Sequence, residues 1–192
     1  MATTPQSVPS GIVTTVAPQP SPARPSPMAS GAEWFRKMKP YCNAVEITVA
    51  LRRSPPPAGV EGTGFNAACH ALAGQVDEAR RAIDVLESGQ RYRAAGIVFD
   101  VGHPIADSGD DRSAGPIMEL VIDYWPNHYM ALYHAGAAEY MLGQRDLARK
   151  NLEAFLQAYH ANDGWRSNGL EMLRRLSDST AAMRDARRPR EP

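Results

Sequence analysis

The sequence predicts an all-α protein built from helix pairs stacked side by side, and three observations carry that prediction. Between Pro126 and His160, apolar and small residues recur at helical spacing on either side of Gly143. Leu132, Ala135, Gly136 and Tyr140 share one face before it, and Leu147, Ala148, Leu152 and Phe155 share one face after it. The same punctuation recurs upstream: Gly74, Gly109 and Gly143 lie 35 and 34 residues apart. Around each glycine the chemistry repeats in register. Small residues precede it (Ala67, Gly102, Gly136), an alanine follows (Ala79, Ala114, Ala148), and two apolar positions come after (Ile83, Met118, Leu152 and then Leu86, Val121, Phe155).

A helix pair recurring about every 34 residues, with small residues where two helices approach closely, resembles the tetratricopeptide (TPR) repeat. The resemblance covers residues 60–162 as three units, the middle one degenerate. It implies a short right-handed α-α superhelix, a TPR-like solenoid. The proline that closes a unit in that family is present as Pro126, whereas the flanking units carry Arg91 and His160 there. In that family the first helix of each pair lines the concave face where ligand peptides lie. Carried onto this chain, that places Phe99, His103, Met130, Tyr133, His134, Ala137, Tyr140 and Met141 along a groove suited to an apolar or amphipathic segment. Gly64, Ala68, Ala71, Leu72, Ala106 and Asp107 extend it through the first two units. The basic and amide residues with which chaperone-binding members clamp a terminal carboxylate are missing. Gly64, Ala68, Asp100, Met130 and His134 stand in the corresponding places. The resemblance therefore implies a protein-binding scaffold without that clamp. A competing expectation is that the chain's own N-terminal helix, or a second copy, fills the groove.

Residues 1–30 contain seven prolines among Ser, Thr, Ala and Gln, which predicts an extended or disordered tail. Within it, Ile12–Val16 is a short strand-forming island able to latch onto a neighbour. Residues 31–59 form a helical extension. Ser30 caps a helix carrying Trp34, Phe35 and Met38, and Pro40 opens a second helix through Arg53. Val45, Ile47, Val49 and Leu51 alternate at strand period; helix is preferred there, because a lone strand beside stacked helices has nothing to pair with. In the first repeat, helices are expected around Phe65–Ala73 and Val76–Ser88. In the second, Pro104 is expected to end or kink the first helix, and the second helix starts near Ser113 with Pro116 in its opening turn. Residues 163–178 form a capping helix, started by Asp163, whose stripe is Trp165, Gly169, Met172, Leu173 and Leu176. Residues 179–192, arginine-rich, are expected to be a flexible basic tail.

With 21 basic and 21 acidic residues, no charge excess points to nucleic acid. No run reaches the ~20 apolar residues of a membrane span. The absence of a signal segment favours the cytoplasm, although a proline-rich start also suits a processed, exported product. The two cysteines, Cys42 and Cys69, lack metal or haem spacing and are expected as buried small hydrophobes; the alternative is a disulfide clipping the N-terminal helix to the first repeat. Asp100, His103 and Asp107 would share a face if their helix continued. Residues 107–111 nevertheless read as an ordinary turn and helix start, and no metal is assigned. No phosphate loop, nucleophile elbow or zinc-protease helix is present, so neither an enzyme nor a cofactor is expected. The expected function is that of a protein–protein adaptor holding a polypeptide segment in its apolar groove. The alternative is a self-assembling structural subunit, a homo-oligomer or filament, using the N-terminal tail as its latch.

Overall fold

The computed structural model describes residues 30–186, which contain nine α-helices and no strand. The tail island Ile12–Val16 and the last six residues lie outside the described residues. The helices are α1 (Gly31–Met38), α2 (Ile47–Arg53), α3 (Val60–Leu72), α4 (Val76–Asp84), α5 (Ser88–Asp107), α6 (Asp111–Tyr124), α7 (Tyr129–Met141), α8 (Arg145–Ala158) and α9 (Gly164–Ala186). From α3 to α9 the packing follows chain order. Helix α3 meets α4 and α5, α5 meets α6, α6 meets α7, α7 meets α8, and α9 lies against α8 and α7.

The three repeated glycines close three like turns, after α3, α5 and α7. Their φ angles are +73°, +82° and +74°, a left-handed conformation that glycine adopts without steric cost. In each, the residue after the glycine donates its N–H five residues back: Gln75 to His70, Asp110 to Ile105 and Gln144 to Glu139. This hydrogen bond satisfies a carbonyl that the helix end would otherwise leave unpaired. The repeated apolar positions all turn inward. Ala79, Ala114, Ala148, Ile83, Met118, Leu152, Val121 and Phe155 are buried, and Leu86 is half-buried. The small residues sit where backbones approach. A Cβ on Gly102 would lie 2.6 Å from Ile117, and one on Gly136 would lie 2.7 Å from Leu152.

The N-terminal extension is held to α3 by several groups at once. Phe35 stacks on Phe65 at 5.0 Å. Glu61 accepts from the Gly31 and Ala32 N–H groups, so a carboxylate of α3 sits at the positive end of α1. Cys42 and Cys69 form a disulfide with Cα atoms 4.8 Å apart, which corrects the expectation of free buried thiols. Both are buried, as either alternative requires, and the bond is the clip between the N-terminal extension and the first helix pair that the sequence offers as the second reading.

Other boundaries shift for local reasons. A helix does replace the strand period at 47–53, with Ile47 buried and Val45 and Val49 exposed. It begins later than Pro40, because Lys39–Tyr41 forms one 3-10 turn and Asn43 then accepts from the Val45 and Glu46 N–H groups. The second helix of the first pair ends at Asp84, and Ser88 already belongs to the next helix. Arg91, standing where the closing proline is missing, donates to the Leu86 and Asp84 carbonyls and finishes that turn. Pro104 does not end α5, which continues to Asp107; so near the C-terminus the ring costs one helix hydrogen bond and no more than the last turn. Helix α6 starts at Asp111, ahead of the expected Ser113, with Asp110 accepting from the Ser113 N–H. Leu147, expected on the inner face of α8, is exposed. The last helix runs through 179–186, residues expected in the flexible tail.

Candidate functional site

The packing of α9 decides what becomes of the predicted groove. Asp163 accepts from the Arg166 N–H and starts the helix. Arg166 donates to the Tyr159 and Leu156 carbonyls at 2.6 and 3.2 Å, tying that start to the end of α8. Gly169 and Leu176 are buried, and Met172 packs against the Leu132–Tyr133–Phe155 cluster and the Ala148–Leu152–Leu176 cluster alike. Trp165 is thereby set edge-on to Tyr133 at 4.9 Å and to His134 at 5.6 Å. The face of α7 that the sequence assigns to a groove is thus partly roofed by the chain's own last helix, from the opposite end of the chain to the one expected.

What stays open is a cleft of about 310 Å³ between the end of α5, the start of α6, the face of α7 and α9. Five of the eight predicted residues line it: Tyr133, His134, Ala137, Tyr140 and Met141, joined by Ala106, Asp107, Asp111, Trp165 and Met172. Their exposure is uneven. Tyr133 is 8% and His134 4% exposed, whereas Met141 is 68% exposed. Phe99 and His103 adjoin the cleft through a run of rings rather than lining it. Phe99 stacks on His103 at 4.7 Å, His103 meets His134 edge-on at 5.0 Å, and Phe99 also packs on His128 at 4.1 Å. Met130 is half-buried in the first turn of α7, away from the cleft lining.

The cleft wall is electrostatically uneven. Burial, reinforced by neighbouring His103, pushes the His134 imidazole down to about 4 against the opposing pull of Asp107. Burial likewise lowers His128, whose Nδ1 accepts from the Ala131 N–H and caps α7. Burial and the neighbouring Asp110 raise Asp111, and burial raises Tyr133. His103 and Asp107 stand one turn apart on α5, and both histidines aim Nε2 at the same carboxylate oxygen. The separations from Asp107 Oδ1 are 3.5 Å for His103 and 3.7 Å for His134. Those are too long for hydrogen bonds, and both Nε2 atoms are buried with no partner. Asp100, grouped with His103 and Asp107 in the sequence, is not part of this cluster.

A second polar cluster lies between α6, α7 and α8. Glu139 is 3% exposed, and burial together with Glu119 pushes its carboxyl up to about 8. Asn151 donates to Glu119 at 2.7 Å and to both Glu139 oxygens at 3.0 Å. Burial beside Glu119 thus favours the protonated form of Glu139, with the Asn151 amide donating to both carboxyl groups. A further cavity of about 350 Å³ adjoins them, with Arg80, Leu142 and Leu147 in its wall. Sequence reasoning passed over this cluster, although a signal existed: Glu139 is the one acidic residue of α7, amid the small and apolar run Ala135–Ala138.

No family model, no curated protein and no solved structure matches this chain.

Proposed function

We propose that the chain is a protein–protein adaptor of TPR-like helix pairs arranged as a short right-handed superhelix, and that it holds a partner polypeptide at the cleft beneath α9. Support for the architecture comes from three glycine-closed turns at a 34–35-residue period and from helices packed in chain order. The function rests on a single observation: five residues expected on a concave face converge on one cleft, with aromatic and methionine side chains for walls. Such side chains supply adaptable apolar contact at low entropic cost. At about 310 Å³, the space admits one bulky side chain of an extended segment rather than a whole helix. Asp111 at its edge favours a basic residue beside that anchor.

The test is a pull-down with the intact chain from its native cells, repeated with Tyr140→Ala/Met141→Ala. Both residues are at least partly exposed, so the melting temperature should move by only a few degrees, and it is measured alongside. Loss of a reproducible partner at preserved stability supports the adaptor. Unchanged capture places binding elsewhere on the molecule.

A further inference from the structure

We propose that His103, Asp107 and His134 form a binding site for a divalent cation of the zinc class, a property that goes beyond polypeptide binding. Among the described residues these three form the group of ligating side chains whose donor atoms all lie within 4.8 Å of one another. Two imidazoles and one carboxylate match the donors that borderline cations prefer, with imidazole nitrogen at about 2.0–2.1 Å and carboxylate oxygen at about 2.0–2.2 Å. Around a tetrahedral ion those bond lengths put neighbouring donors roughly 3.3–3.5 Å apart. The two separations to Asp107 Oδ1, 3.5 and 3.7 Å, are close to that spacing and beyond hydrogen-bonding distance, and the two imidazole donors lie within 4.8 Å of each other.

The independent indication comes from the unpartnered nitrogens. A buried ring nitrogen without a hydrogen-bond partner is costly and uncommon. Here two of them, His103 Nε2 and His134 Nε2, face one carboxylate oxygen. His134 is 96% buried, since only 4% of it is exposed. A cation between the three satisfies both nitrogens and the carboxylate together, which no proton arrangement of the three achieves at these distances. The helices hold the set without further folding. His103 and Asp107 are four apart on α5 and share a face, and α7 supplies His134 from 31 residues away in sequence. Three protein donors leave a fourth position for water or a partner side chain, as in open zinc sites. Asp107 and His134 also line the cleft, so that position is reachable from solvent.

The intact, disulfide-bonded protein is stripped by dialysis against a chelator, then titrated with Zn²⁺ in competition with a chromophoric chelator and with Co²⁺ as a spectroscopic probe. One equivalent of either metal, Co²⁺ visible bands of a four-coordinate N/O site and a melting temperature that climbs with free Zn²⁺ are the expected results. His103→Gln and Asp107→Asn, at positions that are not fully buried, should each weaken Zn²⁺ binding at least about tenfold while the metal-free melting temperature stays near that of the unmodified protein. The double variant should retain no stoichiometric site. Uptake below one equivalent in the unmodified protein, or equal affinity in the double variant, overturns the assignment.

Discussion

The Glu119–Glu139 pair makes the stability of this fold fall with rising pH above neutrality. In the folded protein Glu139 titrates at about 8, against 4.5 for an unperturbed glutamate. Between those values the folded chain holds a proton that the unfolded chain has released. Stability must therefore drop as pH rises, by about 1.4 kcal/mol per pH unit for one proton. The contribution is complete below 4.5 and exhausted once pH passes about 8. His134 acts with the opposite sign: its folded value near 4 lies below the ordinary 6.5, so stability is lost as pH falls from 6.5 toward 4. The two effects offset each other in mildly acidic solution, and above 6.5 the Glu139 proton acts without that opposition. From pH 6.5 to 8 the expected loss is about 2 kcal/mol, or about 4–8 °C in melting temperature for a domain of this size. Calorimetry of the unmodified protein and Glu139→Gln across this range checks it. The amide keeps an acceptor for Asn151 and gains a donor for Glu119, so the variant should show a nearly flat profile. Parallel slopes for the two proteins would refute the account of Glu139 as a buried carboxyl held in its protonated form.

Three further outcomes follow from the packing. The Cys42–Cys69 bond closes a loop with a sequence separation of 27, so reduction, or Cys42→Ala/Cys69→Ala, should cost about 3–4 kcal/mol, read from denaturant midpoints with and without reductant. Gly136→Ala places a Cβ 2.7 Å from Leu152 Cγ and 3.1 Å from its backbone nitrogen. Overpacking of about 1–3 kcal/mol should outweigh the ~1 kcal/mol gain in helix propensity, and Leu152→Ala should relieve part of the clash in a double-mutant cycle. Tyr133 and Tyr140, assigned to the same face by sequence, should separate in thermal melts. Tyr133→Ala removes a buried ring wedged against Phe155 and Trp165 and should lose about 3–5 kcal/mol, whereas half-buried Tyr140→Ala should lose clearly less.

Helix order and turns were legible because they are local. A left-handed glycine after each first helix, and apolar residues at helical spacing after it, act within a few residues of themselves. The Ser30, Asp110 and Asp163 caps are short-range in the same way. Distant pairings were not legible. With two cysteines Cys42 has one possible partner, but nothing near it says that Cys69 comes within bonding distance, and nothing near Tyr133 says that Trp165 returns to lie on it. The cluster of His103, Asp107 and His134 divides in the same manner: the α5 pair stands four residues apart in the sequence, and the third member depends on how α7 packs beside α5. Pro104 does not stop α5 because only three residues of helix follow it, so one lost hydrogen bond is all that the continuation has to offset. Leu147 was misassigned because two residues at the start of α8 competed for one inward position, and Ala148 took it.

Hydrogen exchange of the intact chain with and without its captured partner tests the binding cleft most directly. Protection confined to the end of α7 and the facing turns of α9, around Tyr140, Met141 and Trp165, is the predicted result. Protection on α2 and α4 instead, with the cleft unchanged, would contradict it.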